Sequence, residues 1–141
     1  MKIKTVLMEN AIAPSYAIDG SAGADLYAAE KVVIPPRRTM MVNTGVILEI
    51  PEGYAGFVYA RSGIATRFHV TPVNCVGVID PSYRGEIKVA LHNYSNRPYI
   101  VFKGNRVAQL VIAPYEQVEF VEADEVSATK RGIGGFGSTG N

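Results

Sequence analysis

An all-β domain is the fold class this sequence predicts, and three features predict it. Fourteen glycines and eight prolines cut the 141 residues into short pieces. No stretch carries a sustained helical period, and apolar residues alternate with polar ones in short runs instead. Turn-forming residues separate those runs, as between the strands of a sandwich or barrel. A chain of this length fits one domain with a sizeable core.

Residues 2–8, KIKTVLM, make the first strand. A loop through Pro14 and Gly20 leads to SAGADLYAAE, residues 21–30, where small side chains let two backbones approach closely. Asp25 stands there between Ala24 and Leu26. A carboxylate in that place gains little unless it meets a cation, an arginine or backbone donors, and local sequence favours a solvated loop acid. Residues 31–50 read as two strands around Pro35-Pro36, with Thr44-Gly45 marking a bulge or bend in the second. Pro51-Glu52-Gly53 is a turn, and Tyr54 to Tyr59 another strand. In ARSGIATR, residues 60–67, Ser62 is placed to cap a short helix running to about Phe68. Free backbone N–H groups at such a terminus, beside Arg61, suit a phosphate. An ordinary capped turn has the same sequence.

Residues 74–93, NCVGVIDPSYRGEIKVALHN, read as a hairpin. Asp80 ends its aliphatic run, Pro81 and Ser82 turn the chain, and Tyr83 and Arg84 follow. Beyond the turn Ile87, Val89 and Leu91 alternate with Lys88, Ala90 and His92, the period of a half-buried strand. Tyr99 to Phe102 and Arg106 to Ile112 are further strands. In the latter, strict alternation puts Val107, Gln109 and Val111 on one face. Gln109, polar within an apolar strand, is either paired internally or offered to a ligand. Val118 to Val121 is read as a last strand with outward glutamates. From Arg131 the chain runs RGIGGFGSTGN, which cannot build a core and by itself is a disordered tail. Glycine-rich backbone can wrap phosphates, and Phe136 offers a ring to stack, although no lysine follows as in a Walker loop.

Several function classes are disfavoured. A net charge of +1 provides no basic surface for nucleic acid or membrane, so an anionic ligand would be small and met by a few placed donors. Nothing in the sequence is long and apolar enough to span a membrane. Cys75 is the single cysteine, which suits a reducing, cytoplasmic setting, and its apolar neighbours predict a buried structural thiol. His69 and His92 have no partner at metal-ligand spacing and read as structural or surface residues.

Five segments stand in order: SAGADLYAAE, ARSGIATR, NCVGVIDPSYRGE, GNRVAQLVI and RGIGGFGSTG. Together they closely resemble the five motifs of the trimeric dUTPase family, across residues 21–140. The resemblance implies a distorted antiparallel β-barrel of jelly-roll (β-clip) type with one short helix and a flexible glycine-rich arm. Residues 1–122 would form the barrel, and residues 123–141 the arm closing over a neighbouring subunit's active site. It implies a homotrimer with shared sites, no nucleic-acid or membrane partner, and hydrolysis of dUTP to dUMP and pyrophosphate. That reaction keeps uracil out of DNA and supplies dUMP for dTMP synthesis.

By position, the resemblance makes Asp80 the carboxylate that activates the attacking water. Asn74, Cys75, Val76, Gly77, Val78 and Ile79 would read uracil, and Tyr83 would pack beneath deoxyribose. Arg61, Ser62, Gly63 and Gln109 would hold phosphates from the body of the domain. Arg131, Gly135, Gly137, Ser138 and Thr139 would hold them from the arm, with Phe136 stacked over uracil. Mg²⁺ would be bound mainly by the triphosphate and meet Asp25 through water. Ser82 stands where many family members have a second acid. Two rivals differ in chemistry: a dCTP deaminase on the same fold, with Glu86 as its base, and a non-catalytic nucleotide-binding barrel.

Overall fold

In a computed structural model, described here for residues 1–135, ten strands and one short helix follow in order. They are β1 (Lys4–Leu7), β2 (Ala24–Tyr27), β3 (Val32–Ile34), β4 (Thr39–Glu49) and β5 (Tyr54–Tyr59). After α1 (Ser62–Phe68) come β6 (Val70–Pro72), β7 (Gly77–Ile79), β8 (Ile87–Asn93), β9 (Tyr99–Val101) and β10 (Arg106–Pro114). Two four-stranded sheets, ordered β1-β4-β8-β6 and β2-β10-β5-β7, are accompanied by a two-stranded β3-β9 pair. Every pairing is antiparallel. The result is jelly-roll-like, with sheets that stay open within one chain.

The core is supplied by alternate positions of facing strands. Ile87, Val89 and Leu91 of β8 point inward with Val42 and Val46 of β4, against Leu26 of β2 and Val107, Ala108 and Leu110 of β10. The bulge expected at Thr44-Gly45 is present. Gly45 has φ +68, and the β4–β8 register slips between Asn43 and Val46. A Cβ on Gly45 would come within 2.7 Å of the Ala11 Cβ, so close approach as well as the positive φ selects glycine. Thr44 Oγ1 donates to Ile87 O at 2.6 Å, and Gly45 N–H donates to Glu86 Oε1 at 2.8 Å. These bonds hold a ladder that the extra residue would otherwise open.

Four expectations fail for physical reasons. Residues 74–93 are not a paired hairpin, because β7 pairs with β5 while β8 pairs with β4 and β6. The Asp80 turn crosses between sheets. Residues 118–121 form no strand and lie exposed, since no strand of the same chain is beside them. Ser62 is the first helical residue rather than the cap. Arg61 occupies the cap position with extended backbone and no side-chain cap bond. Cys75 is exposed, in a turn at φ +62, and not buried.

One buried polar residue ties the end of β3 to the 93–97 turn. Asn93 is fully buried, and its Nδ2 donates to Ile34 O at 3.0 Å and to Arg97 O at 2.7 Å. Its Oδ1 accepts from Ser95 N–H at 2.9 Å and from Ser95 Oγ at 2.7 Å. Asn93→Ala would strip Ile34 O and Ser95 N–H of their side-chain partner, while Arg97 O keeps Ser95 Oγ, and is expected to cost about 2–3 kcal/mol. Chemical denaturation checks this; a loss too small to detect would contradict the account of this turn.

Candidate functional site

Three neighbouring strands bring distant residues to one row. Gln109 on β10 pairs with Asp25 of β2 on one side and Tyr59 of β5 on the other. Asp25 and Gln109 therefore share a face, and Arg61 follows two residues beyond Tyr59. Together with Ser21, Ala22, Gly23, Ser62 and Gly63 they line a cleft of about 500 Å³.

Asp25 is buried, at 6 % exposure, and not the solvated loop acid that local sequence favours. Its Oδ1 accepts from Arg61 Nε at 2.7 Å and its Oδ2 from Arg106 Nη1 at 3.2 Å. Two guanidiniums on one carboxylate leave one positive charge in excess at the cleft, which favours an anion. The helix adds donors. Ala65 N–H bonds to Arg61 O at 3.0 Å, so the amides of Ser62, Gly63 and Ile64 precede the first intrahelical bond. Burial raises the Tyr99 phenol above its usual 10.0, an effect the Arg61 charge opposes.

The internal pairing expected of Gln109 is present. Its Nε2 donates to Ala60 O at 2.8 Å, and the residue lines the cleft. A Cβ on Gly23 would stand 2.6 Å from Gln109 Oε1, so Gly23 is what admits this side chain.

Asp80 lies elsewhere. With Val78, Ile79, Tyr83, Glu86 and Lys88 it lines a second cleft of about 300 Å³. Ile79 pairs with Gly56 near the start of β5, whereas Arg61 lies past its end. Within one chain Asp80 and Arg61 are thus roughly 15–20 Å apart, at about 3.3 Å of rise per residue. The two clefts share no lining residue.

Beside Asp80, Tyr83 N–H bonds to Asp80 O at 3.1 Å and Tyr83 Oη donates to Glu86 O at 2.9 Å. Any Cβ on Gly85 would strike the Tyr83 ring, so that glycine sets the ring's place. Glu86 is engaged on both oxygens, by Gly45 N–H at 2.8 Å and by Lys88 Nζ at 3.6 Å. That is a structural assignment, and it weakens the deaminase reading.

Ahead of Asp80, the 74–76 turn is held by Cys75 N–H to Pro72 O at 3.2 Å and Val76 N–H to Asn74 O at 2.7 Å. β7 is an edge strand, so Gly77, Val78 and Ile79 present a row of backbone groups outward. Gly77 again admits a close neighbour, since a Cβ there would meet Asn74 Nδ2 at 3.2 Å.

Of the arm residues, Arg131 is exposed, and its Nε donates to Gly134 O at 2.9 Å; Gly135 is half-buried. Phe136, Gly137, Ser138 and Thr139 lie outside the described residues. No helix is long and apolar enough to cross a membrane, and among the described residues no three His, Cys, Asp or Glu side chains cluster to hold a metal.

A family model described as dUTPase matches residues 9–140. The chain belongs to the dUTPase family. It is 51% identical over 129 residues to a deoxyuridine 5'-triphosphate nucleotidohydrolase of Anaplasma marginale, covering 90% of this chain and 88% of that one. A Hydrogenobaculum protein of the same name is 50% identical over 135 residues, covering 95% and 94%. Among solved structures, the Staphylococcus bacteriophage 80alpha dUTPase with dUPNHPP superposes with TM-score 0.92, at 30% identity and 99% coverage of both chains. A mutant dUTPase from phage phi11 of S. aureus, described with a structural Mg(II) ion, superposes with TM-score 0.81 at 27% identity, covering 89% and 98%.

The sequence reading had passed over Arg106, Gly23 and the structural role of Glu86. Only Gly23 carried a sequence signal, as one of the small residues of 21–30 that permit close approach. Gly23→Ala is expected to dislodge Gln109 from Ala60 O while the fold persists. The Gln109 side-chain amide resonances would shift on substitution; unchanged resonances would refute the close approach.

Proposed function

We propose that this chain is a dUTP diphosphatase, hydrolysing dUTP to dUMP and pyrophosphate. The observation that carries the reading is the sorting of family motifs by chemistry. Arg61, Ser62, Gly63 and Gln109, which match phosphate contacts on the body, line the cleft of Asp25, whereas Val78, Ile79 and Tyr83, which match base and sugar contacts, line that of Asp80.

In this reading neither cleft acts alone. A triphosphate lying against Arg61, Ser62, Gly63 and Gln109 is beyond reach of the same chain's Asp80, so a second copy supplies Asp80. A homotrimer provides three such sites, and the family resemblance favours that closure. Residues 1–122 are the catalytic body, and residues 123–141 are the arm that covers a neighbour's site. From that arm Arg131, Gly135, Gly137, Ser138 and Thr139 would meet phosphates and Phe136 would stack on the base.

Asp80 orients a water for in-line attack on the α-phosphorus and takes its proton. The new bond joins the water oxygen to phosphorus; the bond that breaks joins phosphorus to the bridging oxygen of pyrophosphate. Arg61, Gln109 and the amides of Ser62 and Gly63 are fixed before charge develops on the departing group, so they stabilise it without reorganising.

Selectivity falls to β7 and Tyr83. The edge of residues 77–79, with Asn74, Cys75 and Val76, offers backbone donors and acceptors to the polar edge of uracil, and a tight fit rejects a methyl group. Tyr83, pinned by Glu86 O and Gly85, would crowd a 2′-hydroxyl.

Mg²⁺ fits as an ion carried by the triphosphate. Asp25 has both oxygens bonded to arginine and can add a water-mediated contact but not a cage. When bound, the ion would neutralise phosphate charge. An exposed free thiol at Cys75 accords with a reducing compartment, and we place the protein in the cytoplasm.

Pyrophosphate release is assayed with dUTP, dCTP, dTTP and UTP, alongside ammonia release. Turnover of dUTP alone is expected. Asp80→Asn should keep nucleotide affinity and lower kcat by about 10²–10⁴-fold. Ammonia from dCTP would move the chemistry to a deaminase, and silence with all four would leave a binding module.

A further inference from the structure

Arg106 is out of place for a regular strand. Three residues before Gln109, it would project from the opposite face if β10 alternated without interruption. The β10–β2 register slips between Arg106 and Ala108, so Arg106 pairs with Tyr27 while Gln109 pairs with Asp25. Tyr27 and Asp25, two apart on β2, share a face. The extra residue, Val107, therefore swings Arg106 onto the face of Asp25 and Gln109. Val107 and Ala108 are buried in succession, as a bulge allows and an alternating strand does not.

Once there, Arg106 Nη1 donates to Asp25 Oδ2 at 3.2 Å while Arg61 Nε holds Oδ1 at 2.7 Å. A carboxylate bonded on one oxygen can pivot about its last torsion. Bonded on both, it cannot. Arg61 meets Asp25 through Nε, and neither of its terminal nitrogens is bonded to the carboxylate.

We propose that Arg106 is a positioning residue. It locks the Asp25 carboxylate so that Arg61 presents its terminal nitrogens to the phosphates of the bound nucleotide. The role of those phosphates rests on the function proposed above; the locking itself does not. Arg106 acts through Asp25, and its contribution disappears when Asp25 cannot hold Arg61.

The test is a double-mutant cycle on the full chain, with Arg106→Gln, Asp25→Asn and both together, assayed on dUTP. Each single substitution is expected to lower kcat/KM by about tenfold to a hundredfold, and the double variant to fall within about threefold of Asp25→Asn alone. A double effect equal to the product of the single effects would mean that Arg106 touches phosphate directly, and would overturn the proposal.

A second readout needs no turnover. The ¹⁵N resonance of the Arg61 Nε–H group, followed without nucleotide, should show the hydrogen-bonded position in the wild type and lose it in Arg106→Gln. Arg106→Lys keeps the charge and one donor, and should retain both that resonance and activity within about fivefold. Activity lost from either variant while the Arg61 resonance stays in place would refute positioning. A wild-type protein inert on dUTP would refute the proposed function alone, leaving the resonance to decide the lock.

Discussion

One buried carboxylate organises the anion cleft. Asp25 has little contact with water and would be costly there without partners, yet it meets an arginine on each oxygen. That arrangement demands three things from the fold. β2 must lie beside β10, β5 must end where Arg61 can turn back, and β10 must contain a bulge. Each is met by backbone pairing, not by the arginines themselves. The cleft is thus a product of sheet register. Gly23 belongs to the same constraint, since the row of Asp25, Gln109 and Tyr59 closes only if Gln109 can lie against bare backbone.

The second consequence concerns distance. β5 carries the anion cleft past one end, and β7 delivers Asp80 near the other. Among the described residues, no side chain lines both clefts of the single chain. In the proposed function, a carboxylate suited to activating water and a cleft suited to phosphates become one site only between copies. The same proposal would account for open sheets and for a segment, residues 115–135, that is mostly exposed and without regular structure in the single chain. Val118, Phe120 and Val121 would be poor choices for a surface that stays in water.

Most strands were legible because alternation and turn residues are local signals. The Gly45 bulge was legible too, from Thr44-Gly45 inside an apolar run. Pairing partners were not. Residues 74–93 alternate as a hairpin would, but alternation does not say which strand lies alongside, and β7 and β8 separate into different sheets. Asp25 looked solvated because its partners are 36 and 81 residues away. Arg106 was lost to parity, since a bulge in β10 reverses every face assignment before it. Cys75 was judged by apolar neighbours that lie next to it in sequence but do not enclose it. Pattern alone pointed to Gln109 and to the turn at Arg61 and Ser62; the remaining site assignments came from the five-segment resemblance, and those of Phe136 to Thr139 rest on it entirely.

The central claim is that Asp80 and Arg61 of one site belong to different copies of the chain. Asp80→Asn and Arg61→Gln subunits, each nearly inactive alone, can be unfolded together and reassembled as mixed oligomers. Sites combining an intact Asp80 from one subunit with an intact Arg61 from another should then form, and about one quarter of wild-type activity should return if mixing is random. No recovery, with mixing verified by mass, would place both residues of each site in the same chain and contradict the account.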